Sequence, residues 1–130
     1  MSKYNLYYFP GNGRATCPRA ILSYVKADWT NHLVDREKEW PTLKKTELCE
    51  FEQLPVLEVN GKKYCQSNAI SLYLAETFQL MGKNLEENYQ IYNLLMSYED
   101  FLQIGQQAYT CDDESKKAEL KKQLNKNVLC

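Results

Sequence analysis

The sequence holds a single histidine, His32. One imidazole argues against a histidine-built metal site and against a Ser-His-Asp system, which need the ring beside partners of fixed type. Five cysteines are present, Cys17, Cys49, Cys65, Cys111 and Cys130, and no two of them form a Cys-x-x-Cys. That pattern excludes a zinc knuckle and a dithiol redox motif, and it suits reduced thiols in a reducing compartment. No apolar run is long enough to span a bilayer, and the start Met1-Ser2-Lys3-Tyr4-Asn5 lacks a signal-peptide core. Charge bias is missing too: 16 basic and 17 acidic residues leave a net charge of −1. Nothing in that balance points to nucleic acid or to a membrane surface. A cytoplasmic protein is expected. The 130 residues, 44% of them hydrophobic, support one domain-sized core rather than two full domains.

What is present centres on the stretch from Phe51 to Tyr64. Asn60-Gly61 is a two-residue hairpin signal, because both central positions of a type I′ turn need positive φ. Val56, Leu57 and Val59 form a short apolar strand before it, and Lys63, Tyr64 and Cys65 begin the return. Pro55 stands at the strand entrance, where a missing N–H does least harm. It enters either as an ordinary trans residue or as a cis peptide that turns the chain, and cis accounts for only about 5–6% of X–Pro bonds. Ser67 is expected to cap the following helix, which carries Ile70, Leu72, Tyr73 and Leu74. A proline-entered strand, a hairpin and a helix N-terminus together suit an extended, anionic, peptide-like ligand.

The rest of the chain gives a coarse order. Tyr4 to Phe9 reads as a strand ending at Pro10-Gly11-Asn12-Gly13. A helix is predicted from Ala15 to Lys26, with Pro18 in its first turn. A second strand follows from Trp29 to Val34, then a loop with a short helical turn over residues 38–45, the hairpin, and a helix from Ser67 to Phe78. Gly82-Lys83-Asn84 reads as a linker. A long helix is predicted over residues 86–109, and another from the Asp112-Asp113-Glu114 cluster to about residue 127, acids being favourable at its start. The expected architecture is an α/β domain over residues 1–80 and a short all-α segment of about two helices over residues 85–130.

Gln53-Leu54-Pro55-Val56-Leu57-Glu58-Val59, followed by Gln66-Ser67-Asn68-Ala69-Ile70, resembles the thioredoxin-like domain of cytosolic glutathione transferases. The resemblance is nearest to their sigma-like, tyrosine-type group and covers roughly residues 3–80. It implies a mixed sheet with helices on both faces and a cis Pro55. It implies an enzyme of detoxification that takes glutathione as co-substrate and conjugates its thiol to an electrophilic small molecule. In the family the second domain is a larger helical bundle, so the resemblance makes residues 85–130 a shortened one. The unpaired helix faces would then need another surface, most simply a second chain in a homodimer, swapped or rearranged, while a chain cut short would explain them as well.

The resemblance also assigns residues. Tyr8 matches the catalytic tyrosine, whose hydroxyl would donate to the glutathione sulfur and favour the nucleophilic thiolate. Tyr7 competes for that role, and strand alternation lets only one of the two face the site. Arg14 would support the tyrosine, although Gly13-Arg14-Ala15-Thr16 lacks the acid of the usual Gly-Arg-Ala-Glu. Trp40 and Lys44 would take the glycine carboxylate, with Gln53 beside them. Leu54, before Pro55, would pair its main chain with the cysteinyl portion, and Gln66 and Ser67 would take the γ-glutamyl carboxylate. Asp100 would reach the γ-glutamyl ammonium across a dimer. On residue type alone, plainer readings stand for each: a packed strand tyrosine, a solvated arginine, a surface Trp-Lys pair, helix caps, and an exposed helical acid.

Two other readings belong to different classes. Cys17-Pro18 at a helix start suits a glutaredoxin-like thiol reductase, since helix N-termini lower thiol pKa. A noncatalytic glutathione-binding or structural relative would keep the binding residues alone. No metal is expected, because Met96 replaces one of the acids that cluster with Glu99 and Asp100 in cation-binding members of the family. Gln107 stands near the position of the pocket tryptophan found in prostaglandin-isomerising members.

Overall fold

The computed structural model describes residues 2–128, without the side chains of residues 127 and 128. Cys130 lies outside the described residues. The chain forms two compact units, Met1–Met81 and Gly82–Cys130.

The first unit is built on four strands, β1 (Tyr4–Tyr8), β2 (Trp29–Leu33), β3 (Val56–Val59) and β4 (Lys62–Cys65). They lie in the order β2-β1-β3-β4. β1 and β2 run parallel, and the β1–β3 and β3–β4 pairs are antiparallel. This is the thioredoxin-like sheet expected from the sequence. Alternation along the strands sorts the side chains into two layers. Tyr4 and Leu6 from β1, with Leu57 and Val59 from β3, pack on Leu22 of helix α1 (Thr16–Tyr24) and on Ile70 and Leu74 of helix α3 (Ser67–Thr77). Leu6, Leu22, Leu57, Ile70 and Leu74 are wholly buried, and each contributes roughly 1.5–3 kcal/mol of burial. On the opposite face Val56 packs with Val34, Cys49 and Leu54. Helices do lie on both faces, but here the cover is thin: a four-residue helix, α2 (Trp40–Leu43), and its flanking loop.

The hairpin forms as predicted, with φ of 51° at Asn60 and 79° at Gly61. The Leu54–Pro55 peptide is cis, the isomer implied by the resemblance and not the commoner one.

Several boundaries differ from the sequence reading. The first helix opens as a single 3-10 turn, Gly13–Ala15, and ends at Tyr24 instead of Lys26. Lys26 adopts φ 52°, and the N–H groups of Lys26 and Ala27 donate back to Ser23 and Leu22. That left-handed stop satisfies the last carbonyls and cannot be continued as helix. α3 stops the same way, with Gln79 at φ 57° and Leu80 N–H on the Ala75 carbonyl at 2.8 Å. Ser67 is not the cap of α3. Gln66 holds that position at φ 69°, ψ 112°, with no side-chain capping bond, and Ser67 is already helical. The positive φ at Gln66 turns the chain sharply from β4 into the helix, so the hydroxyl one residue later is past the place where a cap would act.

The second unit is a pair of helices, α4 (Leu85–Thr110) and α5 (Glu114–Val128), packed against each other. Asn84 caps α4 by accepting from the Glu87 N–H at 2.9 Å, while the Glu87 carboxylate accepts from the Lys83 N–H at 2.6 Å. The first bond satisfies one of the donors a helix start leaves open, and the second ties down the residue before the cap. Asp113 starts α5 by accepting from the Lys116 N–H at 2.9 Å. Leu85, Tyr89, Tyr92, Leu94, Met96 and Tyr109 of α4 are exposed. No described helix is long and apolar enough to cross a membrane.

Candidate active site

The register of the sheet gathers five of the ten predicted residues. Tyr7 pairs with Val56, and Val56 pairs with Cys65. The C-terminal end of β1, the N-terminal end of β3 and the C-terminal end of β4 therefore lie side by side. Tyr8 sits at this edge, with Leu54 and Pro55 entering beside it, and Gln66 and Ser67 leave β4 there to open α3. β3 begins only at Val56, so Leu54 and Pro55 lie outside the ladder.

Tyr8 and Tyr7 take opposite faces, and their surroundings separate their roles. Tyr7 donates its hydroxyl to the Glu58 carboxylate at 3.2 Å and stacks on His32 at 4.3 Å. Burial first, and then Glu58, pushes the Tyr7 phenol above its ordinary value. Its proton is held by a carboxylate and is poorly placed to serve a ligand. The Tyr8 hydroxyl instead accepts from the main-chain N–H of Arg14 at 3.3 Å. Accepting that bond leaves the phenol's own hydrogen to donate elsewhere. Gly13 makes the approach possible, for it adopts φ +82° and a Cβ on it would stand 2.9 Å from the Tyr8 oxygen.

The other predicted residues are distributed as follows. Trp40 packs edge-on against Phe9, the residue after Tyr8, with ring centroids 5.4 Å apart. Lys44 lies one turn further along, its N–H bonded to the Trp40 carbonyl at 3.0 Å. Gln53 and Gln66 are exposed, Ser67 is half-buried, and Leu54 is buried in the cluster that also holds Val34 and Val56. Asp100 is an exposed residue of α4, in the second unit. Cys17 is the second residue of α1 and is half-buried. Cys49 is buried, and that burial, with Cys65 nearby, pushes its thiol up and away from reactivity.

One residue was not legible from the sequence. Arg19, on α1, reaches back over the loop after β1. Its guanidinium donates to the carbonyls of Gly11 and Phe9 and through Nε to the Asn31 side chain, and its Cζ stands 5.5 Å from the centre of the Tyr8 ring. In the sequence it is the one charged residue between Thr16 and Tyr24, and nothing there sets it apart from a solvated helix position. Its place in the site comes from the backward lean of helical side chains.

Comparison with known proteins identifies the family. The family described as glutathione S-transferase, N-terminal domain, matches residues 2–76. A probable glutathione S-transferase 5 of Caenorhabditis elegans is 42% identical over 101 residues, 78% of this chain and 48% of that protein. The hematopoietic prostaglandin D synthase of Rattus norvegicus is 35% identical over 104 residues, 80% of this chain and 51% of that one. Among solved structures, a major nematode-specific transferase of C. elegans superposes with a TM-score of 0.81 at 32% identity, over 95% of this chain and 65% of the other. The chain thus spans about half the length of the curated relatives it matches. With a family match across more than half its residues and a thioredoxin-like sheet that presents Tyr8 beside a cis-proline strand entrance, the chain belongs to the glutathione S-transferase family.

Proposed function

We propose that this chain is a sigma-like, tyrosine-type glutathione transferase. It binds glutathione at the edge where β1, β3 and β4 converge and activates its thiol for attack on an electrophilic small molecule. The observation that carries this reading is the Tyr8 hydroxyl. It receives the Arg14 N–H and keeps its own hydrogen for a ligand sulfur. Donation to sulfur stabilises thiolate over thiol, and a free thiol near pKa 8.5 is only about a few per cent ionised at neutral pH. The thiolate then forms the carbon–sulfur bond as the electrophile's leaving group departs with its bonding pair, and the thiol proton passes to solvent. Arg14 supports the phenol from the adjoining turn.

The remaining residues hold the tripeptide. Leu54 offers main-chain groups outside the ladder to the cysteinyl portion, as an added strand would. Trp40 and Lys44 supply a neutral donor and a charge to the glycine carboxylate, with Gln53 beside them. Gln66 and Ser67 take the γ-glutamyl carboxylate where α3 opens and its first N–H groups point outward. Asp100 from a partner protomer meets the γ-glutamyl ammonium in a homodimer. The protein works in the cytoplasm, in detoxification.

The test is conjugation of glutathione to a general aromatic electrophile by the wild type and by Tyr8→Phe, with glutathione affinity measured in parallel. A rate that falls about a hundredfold in the variant at unchanged affinity is expected from loss of a group that stabilises developing charge. Tight binding with no rate in either protein would replace this reading with a noncatalytic, glutathione-binding role.

A further inference from the structure

We propose that Arg19 is a positioning residue for thiol activation, clamping the Tyr8 ring and the loop from Phe9 to Gly13 as one unit. The proposal rests on Tyr8 as the activating phenol.

Three contacts of one guanidinium carry it. Nη1 donates to the Gly11 carbonyl, Nη2 to the Phe9 carbonyl at 3.3 Å, and Nε to Asn31 Oδ1 on β2 at 3.2 Å. The same cation lies 5.5 Å from the Tyr8 ring centroid, within the roughly 6 Å range of a cation–π contact. All three nitrogens of the fork are therefore in use: two hold loop carbonyls, and the third braces the side chain on β2. Asn31 belongs to the parallel neighbour of β1. α1 itself is anchored in the core by Leu22 and Pro18, both wholly buried.

The loop so held ends at Gly13 and leads directly into the Arg14 N–H, the two groups that meet the Tyr8 hydroxyl. The segment contains Gly11 and Gly13, both at positive φ, and it is exposed at Pro10, Gly11 and Asn12. Left to itself such a loop samples many backbone states. Arg19 acts on the reaction through this backbone: it holds the donor that meets the phenol oxygen and the ring that carries it. A lysine cannot reproduce the clamp, since a single ammonium lacks the planar fork that reaches two carbonyls and a side-chain amide together.

The experiment compares wild type, Arg19→Met, Arg19→Lys, Asn31→Ala and Tyr8→Phe, plus the double variant of Arg19→Met with Tyr8→Phe. Each is assayed for kcat and KM, for the pH profile of kcat/KM, for glutathione affinity and for Tm. Expected is a fall in kcat of about tenfold to a hundredfold in Arg19→Met, the range of a misplaced catalytic group. Its pH profile should move upward while glutathione affinity stays within about threefold. Arg19→Lys and Asn31→Ala should show smaller shifts of the same kind. In the double variant, loss of Arg19 should add almost nothing to loss of Tyr8, because both act through the same phenol.

An Arg19→Met variant that folds with unchanged kcat and pH profile overturns the proposal while leaving Tyr8 in place. If Arg19→Met does not fold, Arg19→Lys and Asn31→Ala decide, and unchanged profiles in both overturn it. A shifted profile in Arg19→Met beside an unaltered Tyr8→Phe overturns both the clamp and the Tyr8 reading. Full additivity in the double variant overturns the clamp alone.

Discussion

Gly13 lies so near the Tyr8 hydroxyl that a Cβ at residue 13 would stand 2.9 Å from the phenol oxygen. Gly13 also sits at φ +82°, where side chains are disfavoured. Gly13→Ala should therefore cost about 1–2 kcal/mol of stability from backbone strain and push the phenol off its Arg14 partner. Conjugation should fall by about tenfold or more, as a small misplacement of a reacting group produces. Gly61→Ala is the control. Its φ of +79° carries similar strain, but nothing lies within 4 Å of the added carbon. It should lower Tm and leave the conjugation rate of the folded protein alone.

Trp40 meets Phe9 edge-on, and in the proposed function its indole N–H donates to the glycine end of glutathione. Trp40→Phe keeps an aromatic ring against Phe9 and removes the donor. The account predicts a rise of about tenfold in the glutathione KM, matching a lost bond to a charged group of about 1.5 kcal/mol, with kcat and Tm little changed. Steady-state kinetics with glutathione varied would check it. An unaltered KM would remove Trp40 from the binding set.

Cys17, on the first turn of α1, is a bystander in the proposed mechanism. Cys17→Ser should keep conjugation within about twofold, the size of an ordinary surface change. A loss of activity in Cys17→Ser, together with an unaffected Tyr8→Phe, would favour the thiol-reductase reading.

Tyr7 gives a pH prediction. Burial first, and then Glu58, raises its folded value above the unfolded one of about 10. The folded state thus holds the phenol proton more tightly, and the unfolded chain releases it first. The associated stability is complete below about pH 10 and is lost as pH climbs through the folded value. Tyr4 and Tyr73 are raised as well, by burial for Tyr4 and by the Tyr64 hydrogen bond and burial for Tyr73. Tm should fall through the alkaline range, and Tyr7→Phe should make that decline shallower. An identical slope in the variant would contradict the assignment.

The features legible in the sequence are those set by local rules. Asn60-Gly61 specifies its turn because two adjacent positive φ values suit those residues. The alternation of Tyr7 and Tyr8 allows only one of them into the site, and the partners Glu58 and Arg14 show which way each points. Features set by distant parts of the chain were not legible. Ser67 has the chemistry of a cap, yet the sharp exit from β4 moves that position to Gln66. Lys26 carries no stop signal of the glycine kind, and its left-handed conformation is stabilised by hydrogen bonds to the helix end. Arg19 gains its place only when α1 is docked beside the loop it clamps. The cis form of Pro55 came from family resemblance and not from the proline itself.

The central claim is that the Tyr8 hydroxyl stabilises a glutathione thiolate. Its most direct test is the ionisation of bound glutathione, followed by the ultraviolet absorbance of the thiolate across pH, in wild type and in Tyr8→Phe. The account predicts that the bound thiol titrates about two units below the free value near 8.5 in the wild type, and close to the free value in the variant. The same titration in both proteins, with glutathione bound to each, would contradict it.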